Sequence, residues 1–194
     1  MGEDDERAWL AKAQEGDQRA FGRLVRLHHR RVLACALQML TDRGEAEDAV
    51  QETFLRAWRA LSRFDGRSKL STWLYRICVN VCLNALRRRK RVAAADVDDP
   101  KVPEPTADPT QTGNDPERSA EMTQLYGRLG AALDALSPSL RSAVVLVLLQ
   151  GLPHKEAAEI LGCPEGTVAW RIHEARRRLK TSLADLVLVA REAS

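Results

Sequence analysis

The sequence predicts an all-α protein made of two small helical domains joined by a flexible linker. Apolar residues recur three and four positions apart in both halves of the 194-residue chain, and no alternating strand pattern interrupts them. Residues 92–117 contain five prolines and almost no large apolar side chain. Such a segment cannot bury enough surface to offset its ordering entropy. We therefore expect a first domain over residues 1–91, a linker over 92–117 and a second domain over 118–194.

Three helices are expected in the first domain. Asp17 is a candidate N-cap for a helix that runs to about Leu40, and Thr41 is a candidate N-cap for the next. After a turn at Phe64–Gly66, Ser71 is a candidate N-cap for a long helix that ends in the basic run 87–91. The residues expected to face the core are Phe21, Leu24, Val25, His28, Val32, Cys35, Ala36 and Met39, then Ala46, Ala49, Val50, Thr53, Phe54, Ala57 and Leu61, then Leu74, Ile77, Cys78, Val81 and Ala85.

The second domain is expected to end in a helix-turn-helix. One helix spans about residues 117–136, and Ser137-Pro138 then starts another that ends near Gly151. Pro153 opens a short helix to about Leu161, with an inward face of Ala157, Ala158, Ile160 and Leu161. Residues 162–164 form a turn in which Gly162 supplies the left-handed conformation, and a final helix runs from Glu165.

The final helix carries a basic outer face. Val168, Ile172, Ala175 and Leu179 lie within about 60° on a helical wheel and predict its buried stripe. The residues predicted on its outer face and flanks are Thr167, Ala169, Trp170, Arg171, His173, Glu174, Arg176, Arg177 and Arg178. An arginine-rich helix after a tight turn suits the DNA major groove. The alternative is an ordinary helical hairpin with a solvated basic face.

The helix after Ser71 has a second candidate nucleic-acid face. Opposite its apolar stripe lie Trp73, Arg76, Asn80, Asn84, Arg87 and Arg91, within about 80°. Tryptophan can stack on an unpaired base, asparagine can bond base edges, and arginine can hold phosphates. The alternative is an exposed helix whose Trp73 is tucked into a neighbouring core.

The helix after Thr41 concentrates carboxylates near its N-terminus, at Asp42, Glu45, Glu47, Asp48 and Glu52. The helix dipole alone accounts for them. The functional alternative is a docking face for a basic protein surface, to which Phe54 and Trp58 add apolar anchors.

Charge and composition narrow the class of protein. The net charge of +3 conceals +7 over residues 1–91, −6 over 92–117 and +2 over 118–194, which favours a polyanionic partner. The longest apolar run, Ala143–Leu149, is far short of the roughly 20 residues of a membrane span. The acidic start lacks the features of a signal peptide, so we expect a cytoplasmic protein without membrane insertion.

No catalytic or cofactor site is predicted. The sequence has no phosphate-binding glycine loop, nucleophile elbow or metalloprotease pattern. Cys78 and Cys82 lie one helical turn apart and could share a metal, but no neighbouring ligands complete a set of four. Buried, inert cysteines are the preferred interpretation, and we expect neither enzyme activity nor a cofactor.

Several segments resemble the bacterial extracytoplasmic-function (ECF) sigma factors. Residues 48–58 (DAVQETFLRAW), 64–67 (FDGR) and 71–77 (STWLYRI) resemble sigma region 2, a helical bundle. Residues 136–141 (LSPSLR), 151–152, 156–158 and 162–168 (GCPEGTV) resemble region 4, a helix-turn-helix. The segments occur in the family's order, with a linker where the family has one.

The resemblance implies that the protein binds core RNA polymerase and directs it to promoters. It assigns docking on the beta-prime coiled-coil to Asp48, Gln51, Glu52, Phe54 and Leu55, beside Trp58. It assigns an unpaired minus-ten base to the face with Asn80 and Asn84, and strand separation and phosphate contact to Trp73, Arg76, Arg87 and Arg88. The second domain would contact the beta flap, and its last helix the minus-thirty-five groove. An anti-sigma protein would hold the factor inactive.

The last helix departs from the family pattern. After Gly166-Thr167-Val168 the family has a basic residue, Ser or Thr, then Arg, and a further Arg three positions on. At the first three of these positions this chain has Ala169, Trp170 and Arg171. It has Glu174 at the further position, whereas Arg176 matches the family. We expect an unusual minus-thirty-five preference, with Trp170 on a thymine methyl. Glu174 would accept from a cytosine amine or brace Arg171 or Arg178. Alternatively, Glu174 faces solvent beyond the groove and Trp170 packs on the preceding helix.

Two other functions stay open at this point. The first is a stand-alone helix-turn-helix repressor, which would bind its operator as a dimer without polymerase. The second is a thiol or metal sensor that uses Cys78 and Cys82.

Overall fold

Every regular element in the described part of the chain is helical, which confirms the predicted all-α class. The computed structural model describes residues 3–95, 127, 128 and 130–182. They belong to two compact units, the first built on Met1–Arg89 and the second on most of the chain from Lys90 onward. Most of the predicted linker, from residue 96, lies outside the described residues, as does the predicted helix of residues 117–136 up to residue 126.

The first unit contains four α-helices and one short 3₁₀ turn. The helices are α1 (Glu3–Gln14), α2 (Gln18–Leu40), α3 (Arg43–Ala60) and α4 (Leu70–Ala95), and the 3₁₀ turn covers Leu61–Arg63. Helix α2 packs against both α1 and α3. The predicted stripes of α2, α3 and α4 are confirmed as buried, except that Phe21, Val25, Ile77 and Ala85 are half-buried.

On α4, the side chain of Cys78 contacts the buried stripes of α2 and α3. Its thiol interacts with the thiol of Cys35 on α2 and the hydroxyl of Thr53 on α3. It also lies 3.8 Å from the carbonyl oxygen of Val32. Cys78 and Cys82 are both fully buried, so this side of α4 faces the core.

The N-cap predicted for α2 is confirmed, whereas the N-cap predicted for α3 is not. Asp17 is the N-cap of α2, where its Oδ1 accepts from the backbone N–H groups of Arg19 (2.8 Å) and Ala20 (3.1 Å). The prediction that Thr41 caps α3 is wrong. Thr41 closes α2 with a φ of 59°, and Asp42 caps α3 by accepting from Glu45 N–H at 2.7 Å.

The start of α4 also differs from its prediction. Helix α4 begins at Leu70, so Ser71 lies inside its first turn and is not the N-cap. The helix continues to Ala95, because residues 93–95 are alanines, which have the highest helix propensity. The first four residues of the segment predicted as linker are therefore helical.

Helix α1 was not predicted, because its apolar residues are few. It packs against α2, buries Ala13 and makes polar contacts with the rest of the first unit. Nε2 of Gln14 donates to the carbonyl oxygens of Leu61 (3.2 Å) and Phe64 (2.7 Å). The Arg23 guanidinium lies 5.6 Å from the ring centre of Trp9, which is a cation–π distance. Helix α1 thereby fixes the backbone of the segment that leads into α4.

The described chain from residue 130, most of which belongs to the second unit, contains the predicted helix-turn-helix. Its elements are α5 (residues 130–134), α6 (Pro138–Val144), a π-helical turn (Val145–Leu149), α7 (His154–Leu161) and α8 (Glu165–Ser182). Ser137 is the N-cap of α6 with Pro138 in the first turn, as predicted. Helix α6 packs against α8, and the buried Arg141 guanidinium binds the Asp134 carboxylate of α5.

Removal of the Gln14 side-chain amide tests whether α1 stabilises the connection between α3 and α4. Gln14→Ala should lower the free energy of unfolding of the first unit by about 1–3 kcal/mol, because two carbonyl groups lose their donor. Trp9, Trp58 and Trp73 belong to this unit and Trp170 to the other. Tryptophan fluorescence during urea unfolding therefore reports mainly on the first unit.

Gln51→Ala is the matched control, because this exposed side chain on α3 has no described hydrogen bond. Its effect should stay within about 0.5 kcal/mol. Equal effects of the two substitutions would contradict the bracing role of Gln14.

Candidate nucleic-acid and partner interfaces

The outer face of α4 is set by burial of its inner face. With Leu74, Cys78 and Cys82 in the core, residues on the opposite side must point to solvent. Five of the six residues predicted to bind the minus-ten element are exposed there: Arg76, Asn80, Asn84, Arg87 and Arg88. The structure thus brings these predicted residues onto one surface, which we call the α4 outer face.

The α4 outer face is basic and has polar groups available for binding. None of the described ion pairs or hydrogen bonds involves Asn80, so its amide can both donate and accept. Oδ1 of Asn84 accepts from Nη1 of Arg87 at 3.1 Å, which leaves the Asn84 amide N–H groups directed elsewhere. The exposed run of residues 87–91 forms no ion pair with an acidic side chain among the described residues.

Trp73 is half-buried at the start of this face. Its ring centre lies 5.1 Å from that of Phe64, with the rings tilted by 46°. Of the two alternatives for Trp73, the structure shows packing on a neighbouring core residue, and part of the ring stays accessible.

The turn between α3 and α4 was predicted only as a turn, yet it presents cations. Gly66 has a φ of 71°, a region that favours glycine. Oδ1 of Asp65 accepts from Arg67 N–H at 3.1 Å, and Oδ2 binds Nε of Arg67 at 3.0 Å. The turn is therefore ordered by its own side chains, and the exposed Arg63 and Arg67 are candidate phosphate contacts that sequence reasoning missed.

The outer face of α3 combines carboxylates with an exposed leucine. Asp48 and Gln51 are exposed, and Leu55 between them on the wheel is 52% exposed. Glu52 is half-buried and accepts from Nε of Arg56 at 2.6 Å. An exposed apolar centre with a polar rim has the composition of a protein-binding surface.

Of the two aromatic residues predicted as anchors on α3, one is buried and the other is half-buried. Phe54 is only 8% exposed and stacks on His29 at 6.4 Å between ring centres. Trp58 is half-buried against Phe21, at 4.9 Å. Phe54 lies in the buried stripe that the sequence predicts, and Leu55, one residue and about 100° further round, is the exposed apolar group.

Helix α8 has the two faces that the sequence predicts. Val168, Ile172 and Ala175 are buried and Leu179 is half-buried, whereas Arg176, Arg177 and Arg178 are exposed and Thr167 is half-buried. Gly162 has a φ of 61° in the preceding turn. Trp170 is 62% exposed, which rules out the alternative that it packs on the preceding helix. A large exposed indole is available to an apolar contact such as a thymine methyl.

Glu174 of α8 is enclosed by two arginines. Its Oε1 accepts from Nη2 of Arg177 (2.8 Å) and Nε of Arg178 (2.7 Å), and its Oε2 accepts from Nε of Arg177 (2.9 Å). The hydrogen bonds from Arg177 and then Arg178 lower the pKa of Glu174 to about 2. The expected bracing of Arg178 is present, whereas Arg171 instead points its Nη1 at Sγ of Cys163, at 3.6 Å.

The described residues offer no metal centre. No group of three or more His, Cys, Asp or Glu side chains in the described ranges is arranged to hold a metal ion. Cys78 and Cys82 are completely buried. Hydrogen bonding to Cys78, together with burial, raises the pKa of the neighbouring Cys35 thiol well above its ordinary value. Among the helices that the structure describes, none has the length and apolar character needed to cross a membrane.

Comparisons with known proteins decide the family. Residues 24–92 match the family described as Sigma-70 region 2, and residues 126–179 match Sigma-70, region 4. The ECF RNA polymerase sigma-E factor of Escherichia coli K12 is 35% identical over 188 residues, covering 92% of this chain and 94% of that protein. The chain belongs to the ECF sigma factors. It is therefore a transcription initiation factor that binds core RNA polymerase and promoter DNA.

Two further relatives of this ECF sigma factor cover most of its length. The RNA polymerase sigma-H factor of Pseudomonas aeruginosa is 33% identical over 184 residues, covering 92% of this chain and 93% of the relative. The sigma factor RpoE of Bartonella quintana, solved with the anti-sigma factor NepR, is 29% identical. It has a TM-score of 0.67 and covers 84% of this chain and 96% of that chain. The α4 outer face lies within the region 2 match and α8 within the region 4 match, up to residue 179.

Proposed function

We propose that the first unit reads the minus-ten element of a promoter while α8 of the second unit reads the minus-thirty-five element. The protein does this as a cytoplasmic factor bound to polymerase and catalyses no reaction of its own. The observation that carries the proposal is the α4 outer face, where amides and guanidiniums lie opposite a buried stripe. That combination suits base edges and phosphates of a separated strand.

The proposed roles on the α4 outer face differ by side chain. Asn80 and Asn84 read an unpaired base, because amides can both donate to and accept from base edges. Arg76, Arg87 and Arg88 hold phosphates. Trp73 supports strand separation from its position against Phe64, where part of its ring stays accessible.

The outer face of α3 is the proposed polymerase contact. Leu55 supplies its apolar centre, and Asp48, Gln51 and Glu52 supply a polar rim for the beta-prime coiled-coil. Phe54 and Trp58 act from inside by fixing the rotation of α3. The second unit contacts the beta flap.

In the second unit, the proposed minus-thirty-five contacts lie along α8. Thr167, Trp170 and Arg171 belong to its N-terminal half, which in helix-turn-helix proteins reaches base edges. Arg176, Arg177 and Arg178 follow in the C-terminal half, with Glu174 between the two groups. We retain residues 1–91, 92–117 and 118–194 as the proposed functional division of the chain.

We also propose that an anti-sigma protein controls this factor. A solved relative, the Bartonella quintana sigma factor, is bound to the anti-sigma factor NepR. The same polar and apolar surfaces that bind polymerase would be covered in such a complex.

Reconstituted transcription tests the proposed function. Core polymerase with this protein should initiate at discrete start sites on genomic DNA fragments, and core polymerase alone should not. Sequencing the 5′ ends of the transcripts should reveal two shared upstream elements. Specific DNA binding by the protein alone, with no effect on start sites, would instead support the helix-turn-helix repressor.

Asn80→Ala should relax discrimination at one base of the minus-ten element, since a good base contact is worth about 1–3 kcal/mol. Arg88→Ala is the matched change on the same helix, and it should weaken all promoters about equally because a phosphate contact carries no sequence information. The measurement is initiation from promoters altered base by base. Identical profiles for wild type and Asn80→Ala would remove Asn80 from base reading.

Core binding should depend on the outer face of α3. Asp48→Lys and Leu55→Ala should each weaken association with core polymerase at least about tenfold, which corresponds to about 1.4 kcal/mol. Fluorescence anisotropy of labelled protein titrated with core polymerase measures this. Glu15→Lys, a charge reversal at an exposed site after α1, is the control and should leave the affinity unchanged. Wild-type affinity in both α3 variants would exclude this face from the interface.

A further inference from the structure

Glu174 is a carboxylate in the middle of a basic helix that is proposed to bind a polyanion. Its side chain is only 14% exposed, because two arginines cover it. Three N–H groups, two from Arg177 and one from Arg178, donate to its two oxygens at 2.7–2.9 Å. A carboxylate in this position orients the two neighbouring arginine side chains and offsets part of their positive charge.

The geometric effect falls mainly on Arg177. A guanidinium is a planar fork, and Glu174 binds the edge formed by Nε and Nη2. The opposite edge is directed away from Glu174, on a side chain that is 67% exposed. Holding the fork in one orientation before DNA arrives lowers the entropy lost on binding.

The electrostatic effect is a partial neutralisation. Arg177 and Arg178 with Glu174 carry one net positive charge in place of two. Binding to unrelated DNA is supplied almost entirely by phosphate neutralisation and counterion release, so it should suffer most from this loss. Sequence-specific binding keeps the benefit of the oriented guanidiniums.

Position along α8 indicates what the two arginines contact. The N-terminal residues of a recognition helix reach base edges. Arg177 and Arg178 come more than three turns after Glu165, the first residue of α8, at about 1.5 Å per residue. They are therefore placed for the DNA backbone, whereas the exposed Trp170 lies one turn before Glu174 on the base-reading side.

We propose that Glu174 is a positioning residue that holds Arg177 and Arg178 as an oriented phosphate clamp and suppresses binding to unrelated DNA by neutralising one of their charges. This inference rests on the proposed contact between α8 and the minus-thirty-five element. It assigns the departure from the family pattern at Glu174 to selectivity, since an arginine there would add charge without orientation.

The salt dependence of DNA binding tests the clamp. Holoenzyme assembled from core polymerase and the full chain is titrated over a range of KCl concentrations. One DNA is a promoter and the other has a scrambled minus-thirty-five element. Glu174→Gln, which keeps the shape and loses the charge, should make the slope of log K against log salt steeper by about 0.9. It should also tighten binding to scrambled DNA several-fold and lower the promoter-to-scrambled ratio. Arg177→Gln should make the slope shallower by a similar amount.

Glu165→Gln is the matched control. It removes the same charge from the first turn of the same helix, where no described ion pair involves Glu165, and should leave the promoter-to-scrambled ratio unchanged. The proposal is overturned if Glu174→Gln changes neither slope nor ratio, or if Glu165→Gln reproduces its effects. Arg177→Lys keeps the charge and loses the fork, so a wild-type ratio in this variant also overturns it. Wild-type holoenzyme that fails to prefer the promoter contradicts the proposed function instead.

Discussion

The burial of one side of α4 determines what the first unit can bind. Leu74, Cys78 and Cys82 are buried on one side of α4, and Cys78 interacts with Cys35 on α2 and Thr53 on α3. Each residue of an α-helix is turned by about 100° from the one before, so a shift of one position would carry Asn80 from solvent towards the core. The α4 outer face, which we propose binds the minus-ten element, needs no separate device to orient it. It is the necessary complement of the apolar stripe, and any substitution that rotates α4 would disturb both at once.

The same logic extends to the surfaces on either side of α4. In α3, the buried Phe54 and half-buried Trp58 set the rotation that leaves Leu55 exposed. The turn before α4 is held by Gln14 from α1 and by the packing of Phe64 on Trp73. Helix α1 lies before the segment that matches Sigma-70 region 2, yet it supplies one of the contacts that shape that region. In the second unit, the buried stripe of Val168, Ile172 and Ala175 likewise sets which side of α8 faces solvent.

Periodicity predicted these stripes because each depends on spacing within one helix, and the sequence shows that spacing directly. Periodicity failed where an element is held by contacts between residues that are distant in the sequence, or where two neighbouring residues could each serve as the helix cap. Gln14 of α1 donates to the carbonyl oxygens of Leu61 and Phe64, which are 47 and 50 residues away in the sequence. Thr41 and Asp42 are both good capping residues, and only the backbone conformation at Thr41 selects Asp42. For Glu174, the sequence predicted bracing of Arg171 or Arg178, and the structure pairs it with Arg177 and Arg178, because the choice of partner depends on rotamers that a wheel does not contain.

The central claim, that the first unit reads the minus-ten element and α8 reads the minus-thirty-five element, is tested most directly by crosslinking. A photoreactive amino acid replaces Asn80 in one protein and Trp170 in another, and each is assembled with core polymerase on one promoter. The account predicts that the probe at position 80 crosslinks to the melted minus-ten strand, and the probe at position 170 to the minus-thirty-five duplex, only when polymerase is present. Crosslinks exchanged between the two elements, or equal crosslinking without polymerase, would contradict it.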